Sequence, residues 1–428
     1  MLLSSRLSQS ARLRSLRHFT VLALESSADD TCAAIVNSNK RILSNVRIKQ
    51  NDLHEKWGGI HPAVAILAHQ RNMPIAIKRA LEEAQMDVKD VDGIAFTRYV
   101  CPYTHTKTKT KPSTQRGPGI PGCLAVGCNS AKALAAALNK PLVGVHHMQA
   151  HALTPILTSP TSSPESSQLK FPFLTLLASG GHTLLLLSRS PTHFQILATT
   201  LDESVGRTID KVARILQVPG WAEIGPGAAL EVFCRGGGGD NMNLRIPTDF
   251  PSFPKPIPGK LAFSFSSLHS HLERYFSGEK EKGKEEKEVE EESRRAIAIA
   301  FQESAFGQLV DKIKLSLFCR TAGMEGVKHP VVSGGVASNS VLRDRLKTTL
   351  SKFSITPVFP PPDLCTDNAA MIAWASMYRF LGEGLDLGLT SATREDMDPL
   401  TIAPKAKWSI EDLRKGDGEG NESGDGLW

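Results

Sequence analysis

The 428-residue sequence predicts a two-lobed α/β protein with a ligand cleft between the lobes, and three observations carry that prediction. A pattern of apolar strand, short polar turn and apolar strand begins near residue 20 and recurs from residue 171. Such a repeat points to a duplicated domain. Helical patterns fill the chain between and after the two hairpins. Small, hydroxyl or acidic residues form both turns, and turns of that kind present backbone N–H groups to phosphate.

The elements follow in order. "HFTVLALESSADDTCAAIVNSNKRILSNV" reads as a strand, a polar turn over Glu25 to Thr31 and a second strand. "HPAVAILAHQRNMPIAIKRALEEAQ" and "GCLAVGCNSAKALAAALNK" have helical spacing, the second closing before Pro141. In "VHHMQAHAL" a helix places His147 and His151 on one face, four residues apart. The Pro/Ser stretch at 158–167 is a linker ahead of the second hairpin, "FPFLTLLASGGHTLLLLSRSPTHFQILATTL", whose turn is Ser179 to Thr183. "DESVGRTIDKVARILQV" and "RAIAIAFQESAFGQLVDKIKLSLFCR" are helical. "HPVVSGGVASNSVLRDRLKTTL" reads as a buried strand, a Gly-Gly turn leading directly into a helix, and "DNAAMIAWASMYRFL" is a final helix.

These readings place a first lobe at 20–165, with an insertion at 99–116, and a second at 166–410, with a charged insertion at 278–293. The last helix, 366–381, is expected to pack back on the first lobe, and 411–428 to be a disordered Gly- and acid-rich tail. Residues 1–19 are different in kind. They hold Arg6, Arg12, Arg14 and Arg17, and no acid precedes Glu25, the make-up of a mitochondrial presequence bound for the matrix. Four of the six net positive charges belong to those arginines, so the basic balance does not by itself argue for nucleic acid. No apolar run approaches the roughly 20 residues that span a bilayer, so no membrane partner is expected. Seven cysteines without a CxxC pair read as reduced thiols.

The chemistry concentrates in a few places. "SGG" occurs at Ser179 and at Ser333, and with the acidic turn "SSADDT" and the helix bearing Asp210 it outlines a nucleotide cleft. Two histidines rarely make a metal site alone. Asp363, Cys365 and Asp367 are all available as a third ligand, and spacing does not choose among them. Two histidines and a carboxylate with open positions suit zinc or ferrous iron as a Lewis acid. "HMQAH" is not the H-E-x-x-H of a zinc peptidase.

Ten segments fall in one order: "LESSADDT", "WGGIHP", "AHQRNMP", "GPGIPGCLAVG", "VHHMQAH", "ASGGHT", "GRTIDKVAR", "FSFSSL", "SGGVASN" and "CTDNAAMIA". In that order the chain resembles the universal tRNA threonylcarbamoyladenosine transferases, in their mitochondrial branch. The resemblance implies the actin-like (sugar kinase/Hsp70/actin) fold, two RNase-H-like lobes around a central cleft. It implies transfer of threonylcarbamoyl from threonylcarbamoyl-AMP, made by a separate synthase, to N6 of the adenosine just 3′ of the anticodon. The tRNAs concerned read codons beginning with A, and AMP is released. Carried over by position, the ligands of one divalent ion per subunit, zinc or iron, fall on His147, His151 and Asp367. The substrate-binding strand and loop fall on Leu177, Ala178, Ser179, Gly180 and Gly181. The ribose-binding carboxylate falls on Asp210 with Gly227, the adenine-side amide on Asn339, and the catalytic acidic pair on Asp29 and Asp30. The branch resembles homodimers that act without the partner complex of its cytosolic relatives.

The chain departs from the family pattern at three points. "SSL" replaces "SGL" at Ser266 to Leu268, Arg207 stands where an acid is usual, and 99–116 interrupts a continuous "TRGPG", as a retained intron would. Three other readings compete: a small-molecule kinase of the same fold, a nucleotide-dependent switch of the Hsp70 kind, and a metallopeptidase. None of them calls for the "HHMQAH" pair in this spacing.

Overall fold

The structure is a computed structural model that describes residues 18–57, 59–98, 119–159, 169–236, 244–277, 289–318, 324, 326–327, 329–382, 397–402 and 408–413. The first sheet contains β1 (Thr20–Glu25), β2 (Thr31–Asn37), β3 (Ile42–Ile48), β4 (Gly93–Thr97) and β5 (Leu142–Val145) in the order β3-β2-β1-β4-β5. Four helices follow its strands: α1 (Asn51–Glu55), α2 (Pro62–Ala84), α3 (Pro121–Leu138) and α4 (His147–Thr158). The second sheet contains β6 (Phe173–Ala178), β7 (Thr183–Ser190), β8 (His193–Thr199) and β9 (Pro330–Ser333) in the order β8-β7-β6-β9. Its helices are α5 (Val205–Ile215), α6 (Trp221–Ile224), α7 (Pro226–Arg235), α8 (Ser266–Ser277), α9 (Glu291–Phe318), α10 (Ser340–Ser351), α11 (Pro362–Cys365) and α12 (Ala369–Phe380).

Both sheets run third, second, first, fourth strand, with two antiparallel pairs and then a parallel one. A parallel bridge from Val331 to Val358 marks the fifth position in the second sheet. This is the duplicated RNase-H-like architecture of the actin-like fold.

Every residue of β1 and β2 is buried, because helices cover both faces of the sheet. Alternate side chains divide between two cores. Leu22, Leu24, Ala33 and Ile35 face α2 and α3 through Met73, Ala76 and Ala131. Val21, Ala23, Ala34 and Val36 face α4 and α12 through Leu153, Met371 and Trp374. That second core also holds Leu177, Leu186 and Val331 of the other sheet, so α4 and α12 form a layer shared by both lobes.

Four details differ from the sequence reading. A 3-10 turn, Gly335–Ser338, separates the second Gly-Gly turn from α10, which is capped by Asn339. The helix N-terminus beside a glycine turn is instead that of α5, which starts at Val205 after the Ser204 cap, so "DES" is not helical. The last described residues are ordered, because Trp408, Ile410 and Leu413 are buried in the shared core and Glu411 accepts the Ile196 N–H at the open edge of β8. The folded chain begins before residue 20, since Phe19 packs on Phe380. The insertion at 99–116 lies outside the described residues, as do 278–288 of the charged run; its last three residues open α9.

Two glycines set how closely the cleft elements meet. Gly334 has φ +96°, and a Cβ there would lie 2.4 Å from the Ala178 carbonyl oxygen. A Cβ on Gly206 would lie 2.5 Å from the Ser179 carbonyl oxygen. A Cβ on Gly180 or Gly181 would meet no atom within 4 Å. Gly334→Ala is therefore expected to lose about 2–4 kcal/mol of stability in urea denaturation. Gly181→Ala should stay within about 0.5 kcal/mol of the parent. Equal losses in the two variants would contradict this packing.

Candidate active site

The carboxyl ends of β1, β4, β5, β6 and β9 converge on the cleft, where ligands bind in open α/β sheets. Helix α4 starts there, directly after β5. His146 is its N-cap: Nδ1 accepts the Met148 N–H at 3.2 Å, and Nε2–H donates to the Trp408 carbonyl at 3.0 Å. With His146 so engaged, His147 and His151 point from successive turns at the same place.

Asp367 meets them from the loop between α11 and α12. His147 Nε2 lies 3.4 Å from Asp367 Oδ1, His151 Nε2 lies 3.1 Å from it, and the two imidazole nitrogens are 3.2 Å apart. Among the described residues, His147, His151 and Asp367 are the group whose donor atoms converge as metal ligands do. Asp363, the other carboxylate near α12, opens the short helix α11 instead. Donors about 2.1 Å from one ion, at angles of roughly 90–110°, stand about 3.0–3.4 Å apart. The triangle matches that spacing.

Behind His147 stands Glu25, the last residue of β1, which is fully buried. Its carboxylate lies 3.1 Å from His147 Nδ1 and also accepts from the Ser27 N–H and the Thr97 hydroxyl. A carboxylate on the far nitrogen of a metal-binding histidine orients the ring and raises its basicity. Charge points the same way. Burial opposes ionisation, yet Asp367 and Glu25 raise His147 to about 10. Burial likewise opposes a charged Asp367, but His147 and hydrogen bonds from both rings hold it well below the usual carboxylate range. The buried Glu25 and the half-buried Asp367 thus trap a positive charge, supplied here by a proton that a divalent ion would displace.

The turn after β1 carries the acidic pair. Burial and then the charge of Asp367 raise Asp29 to about 6. Burial and Asp29 raise Asp30 to about 7, against the pull of Arg47, whose Nε lies 3.8 Å from the Asp30 carboxylate. Arg47 also donates to Thr366, tying the acidic turn to the Asp367 loop. Across the cleft, burial raises Asp210 on α5 to about 7, with Asp29 adding to the rise against Arg214 and Arg207. Asp29 belongs to the first lobe and Asp210 to the second.

The equivalent turn of the second lobe is the glycine turn. Leu177 and Ala178 end β6 with their side chains in the cores, so their backbones alone face the cleft. Ser179 Oγ accepts the His182 N–H at 3.1 Å and closes the turn, leaving Gly180 and Gly181 exposed. Burial and the imidazoles of His147, His146 and His151 push His182 down to about 3. Strand β6, which leads into this turn, packs on the histidine-bearing helix α4. Gly227 sits on the first turn of α7 against Ile209, the neighbour of Asp210. Asn339 Oδ1 caps α10 by accepting the Leu342 N–H.

The family model for tRNA N6-adenosine threonylcarbamoyltransferase matches residues 41–99 and 114–374, leaving out a stretch within 99–116. A tRNA N6-adenosine threonylcarbamoyltransferase of Brucella anthropi is 34% identical over 400 residues, covering 92% of this chain and 95% of that protein. One from Clostridium kluyveri is 35% identical over 363 residues, covering 84% and 92%. The chain belongs to the tRNA N6-adenosine threonylcarbamoyltransferase family. It is a transferase that acts on tRNA. Rickettsia massiliae has a further family member, 32% identical over 92% of this chain and 98% of its own. Among solved structures, HypF of T. kodakarensis aligns over 89% of this chain and 49% of its own at 15% identity and TM-score 0.48.

Within this transferase family site, Glu25 is the partner that motif reading passed over, although it lies inside "LESSADDT". Glu25→Gln is expected to weaken binding of zinc by about 10- to 100-fold, measured by competition with a chromophoric chelator. Unchanged affinity would remove Glu25 from the site.

Proposed function

We propose that this chain transfers the threonylcarbamoyl group of threonylcarbamoyl-AMP to N6 of the adenosine just 3′ of the anticodon. Its substrates would be mitochondrial tRNAs that read codons beginning with A, and AMP would be released. The observation that supports this most is the convergence of His147, His151 and Asp367, with the two histidines on a helix that packs against the strand leading into the Ser179–Gly181 turn.

The donor is a mixed anhydride with a good leaving group, so positioning is the protein's main task. Backbone N–H groups of the glycine turn, near the N-terminus of α5, suit the adenylate phosphate. Asp210 and Gly227 suit the ribose, and Asn339 the adenine. The adenosine amine is a weak nucleophile, because its lone pair is delocalised into the ring. As N6 attacks the carbamoyl carbon, the bond to the phosphate oxygen breaks and AMP leaves. The N6 proton passes to Asp29, whose pKa near 6 keeps it ionised at neutral pH and still basic enough to accept it. His147, His151 and Asp367 would hold a zinc or ferrous ion. When bound, that ion supplies Lewis-acid polarisation of the donor's oxygens.

The arginine-bearing segment 1–19 supports import into the mitochondrial matrix, and the donor would come from a separate synthase there. Two copies would pair through the outer face of α2 and α3. Leu67 and Ile75 are exposed there, beside an apolar groove of about 750 Å³ lined by Ile77, Leu81, Met86 and Leu134.

Incubation with threonylcarbamoyl-AMP and unmodified mitochondrial tRNA should yield the modified nucleoside by mass spectrometry, and His147→Ala should abolish it. Undiminished product from His147→Ala would overturn the proposal, and ATP turnover without product would favour a kinase of this fold. The rate should climb about tenfold per pH unit below pH 6 and level off above it, as Asp29 loses its proton. Asp29→Asn should lose that limb along with roughly 10²–10⁴ in rate.

A further inference from the structure

The segment after β3 forms the rim of the cleft on the side of the acidic turn. The end of β3 pairs with the start of β2, Ile48 opposite Thr31, so the residues after Ile48 lie at the same end of the sheet as Asp29 and Asp30. Helix α1 crosses to the other lobe and packs on α6, which leads into Gly225 and Gly227. Just past α1, Trp57 is 60% exposed. Its ring lies on that of His61, with centroids 4.3 Å apart and planes at 35°. Leu53 and Ile60 beside it are exposed as well.

A chain of hydrogen bonds, buried through its middle, runs from the backbone of His61 to the acidic turn. The His61 N–H donates to His54 Nδ1 at 3.3 Å, so His54 carries its proton on Nε2 and donates to Gln50 Oε1 at 3.3 Å. The Gln50 amide then donates to the Thr31 hydroxyl at 3.2 Å, and that hydroxyl donates to His69 Nδ1 at 2.8 Å. His69 Nε2–H completes the chain on the carbonyl of Ala28, 3.0 Å away and one residue before Asp29. Donor and acceptor roles agree at every link, with both histidines neutral. Gln50, His54 and His69 are buried, so the chain acts as a rigid strut.

A tryptophan backed by a second ring and open on its other face is the platform on which unpaired bases stack. We propose that Trp57 stacks an unpaired anticodon-loop base next to the target adenosine, and that the His61–His54–Gln50–Thr31–His69 strut holds this platform in register with Asp29. The occupant is a nucleobase because the reaction draws one adenosine of an RNA loop into the cleft, which leaves its neighbours at the rim. The inference rests on the tRNA reading above and adds the residue that positions the loop.

The test is titration of an end-labelled, unmodified anticodon stem-loop RNA into the full chain, read by fluorescence anisotropy. Trp57→Ala should weaken binding about 5- to 100-fold, whereas Trp57→Phe should stay within about fivefold of the parent. In turnover with whole tRNA, Trp57→Ala should raise KM by the same factor and leave kcat at saturating tRNA unchanged. Threonylcarbamoyl-AMP binding and thermal unfolding should match the parent, since the side chain is exposed. Parental RNA affinity in Trp57→Ala would overturn the proposal. So would RNA binding lost together with a change in oligomeric state, which would mark a protein contact. Failure of the parent chain itself to bind the RNA would instead overturn the tRNA reading beneath it.

Discussion

Asp367 lies half-buried against two imidazoles that belong to the other half of the chain, and the site has its shape only while that contact exists. The carboxylate comes from the loop before α12, 216 residues after His151. Helix α12 leaves the second lobe and packs on the first sheet through Met371, Trp374 and Phe380. Packing of that apolar helix delivers the polar contact, so the core and the site cannot form separately. Holding the half-buried Asp367 and the buried Glu25 this close together is costly unless a cation sits between them. His147, placed between the two carboxylates, is where that cation resides.

The duplicated architecture divides the remaining labour. The same topological slot, the turn between the first two strands of each sheet, carries opposite chemistry in the two lobes. In the first lobe it holds Asp29 and Asp30, whose raised pKa values suit proton acceptance. In the second it holds Ser179, Gly180 and Gly181, which offer backbone N–H groups and open space. In the proposed reaction an anionic donor would be drawn to one turn, and the nucleophile would lose its proton at the other. Gly206 and Gly334 let α5 and the second glycine turn close on the first to within ordinary contact, which fixes the width of the pocket.

Much of this was legible in the residues. The paired hairpins announced the duplication because strand-turn-strand patterning is local, and His147 and His151 announced a shared face because helical spacing is local. Asp367 was not singled out by spacing from Asp363 and Cys365, because its contact depends on where α12 docks. Glu25 looked like the polar end of an apolar strand, and only its hydrogen bond to His147 shows what it does. His146 shows its capping role only with Trp408 in place, and the short ordered segment around Trp408 runs past the expected lobe boundary at 410 into residues read as tail. The α5 start beside the glycine turn was likewise hidden, since 24 residues separate Ser204 from Gly180.

The central claim is that one divalent ion held by residues of both halves of the chain is required for threonylcarbamoyl transfer. The most direct measurement is single-turnover transfer from labelled threonylcarbamoyl-AMP to tRNA, using protein stripped with a chelator and then titrated with zinc or ferrous iron. The account predicts no transfer after stripping and full recovery at one equivalent of metal per chain. Full transfer by stripped protein shown by elemental analysis to hold no metal would contradict it.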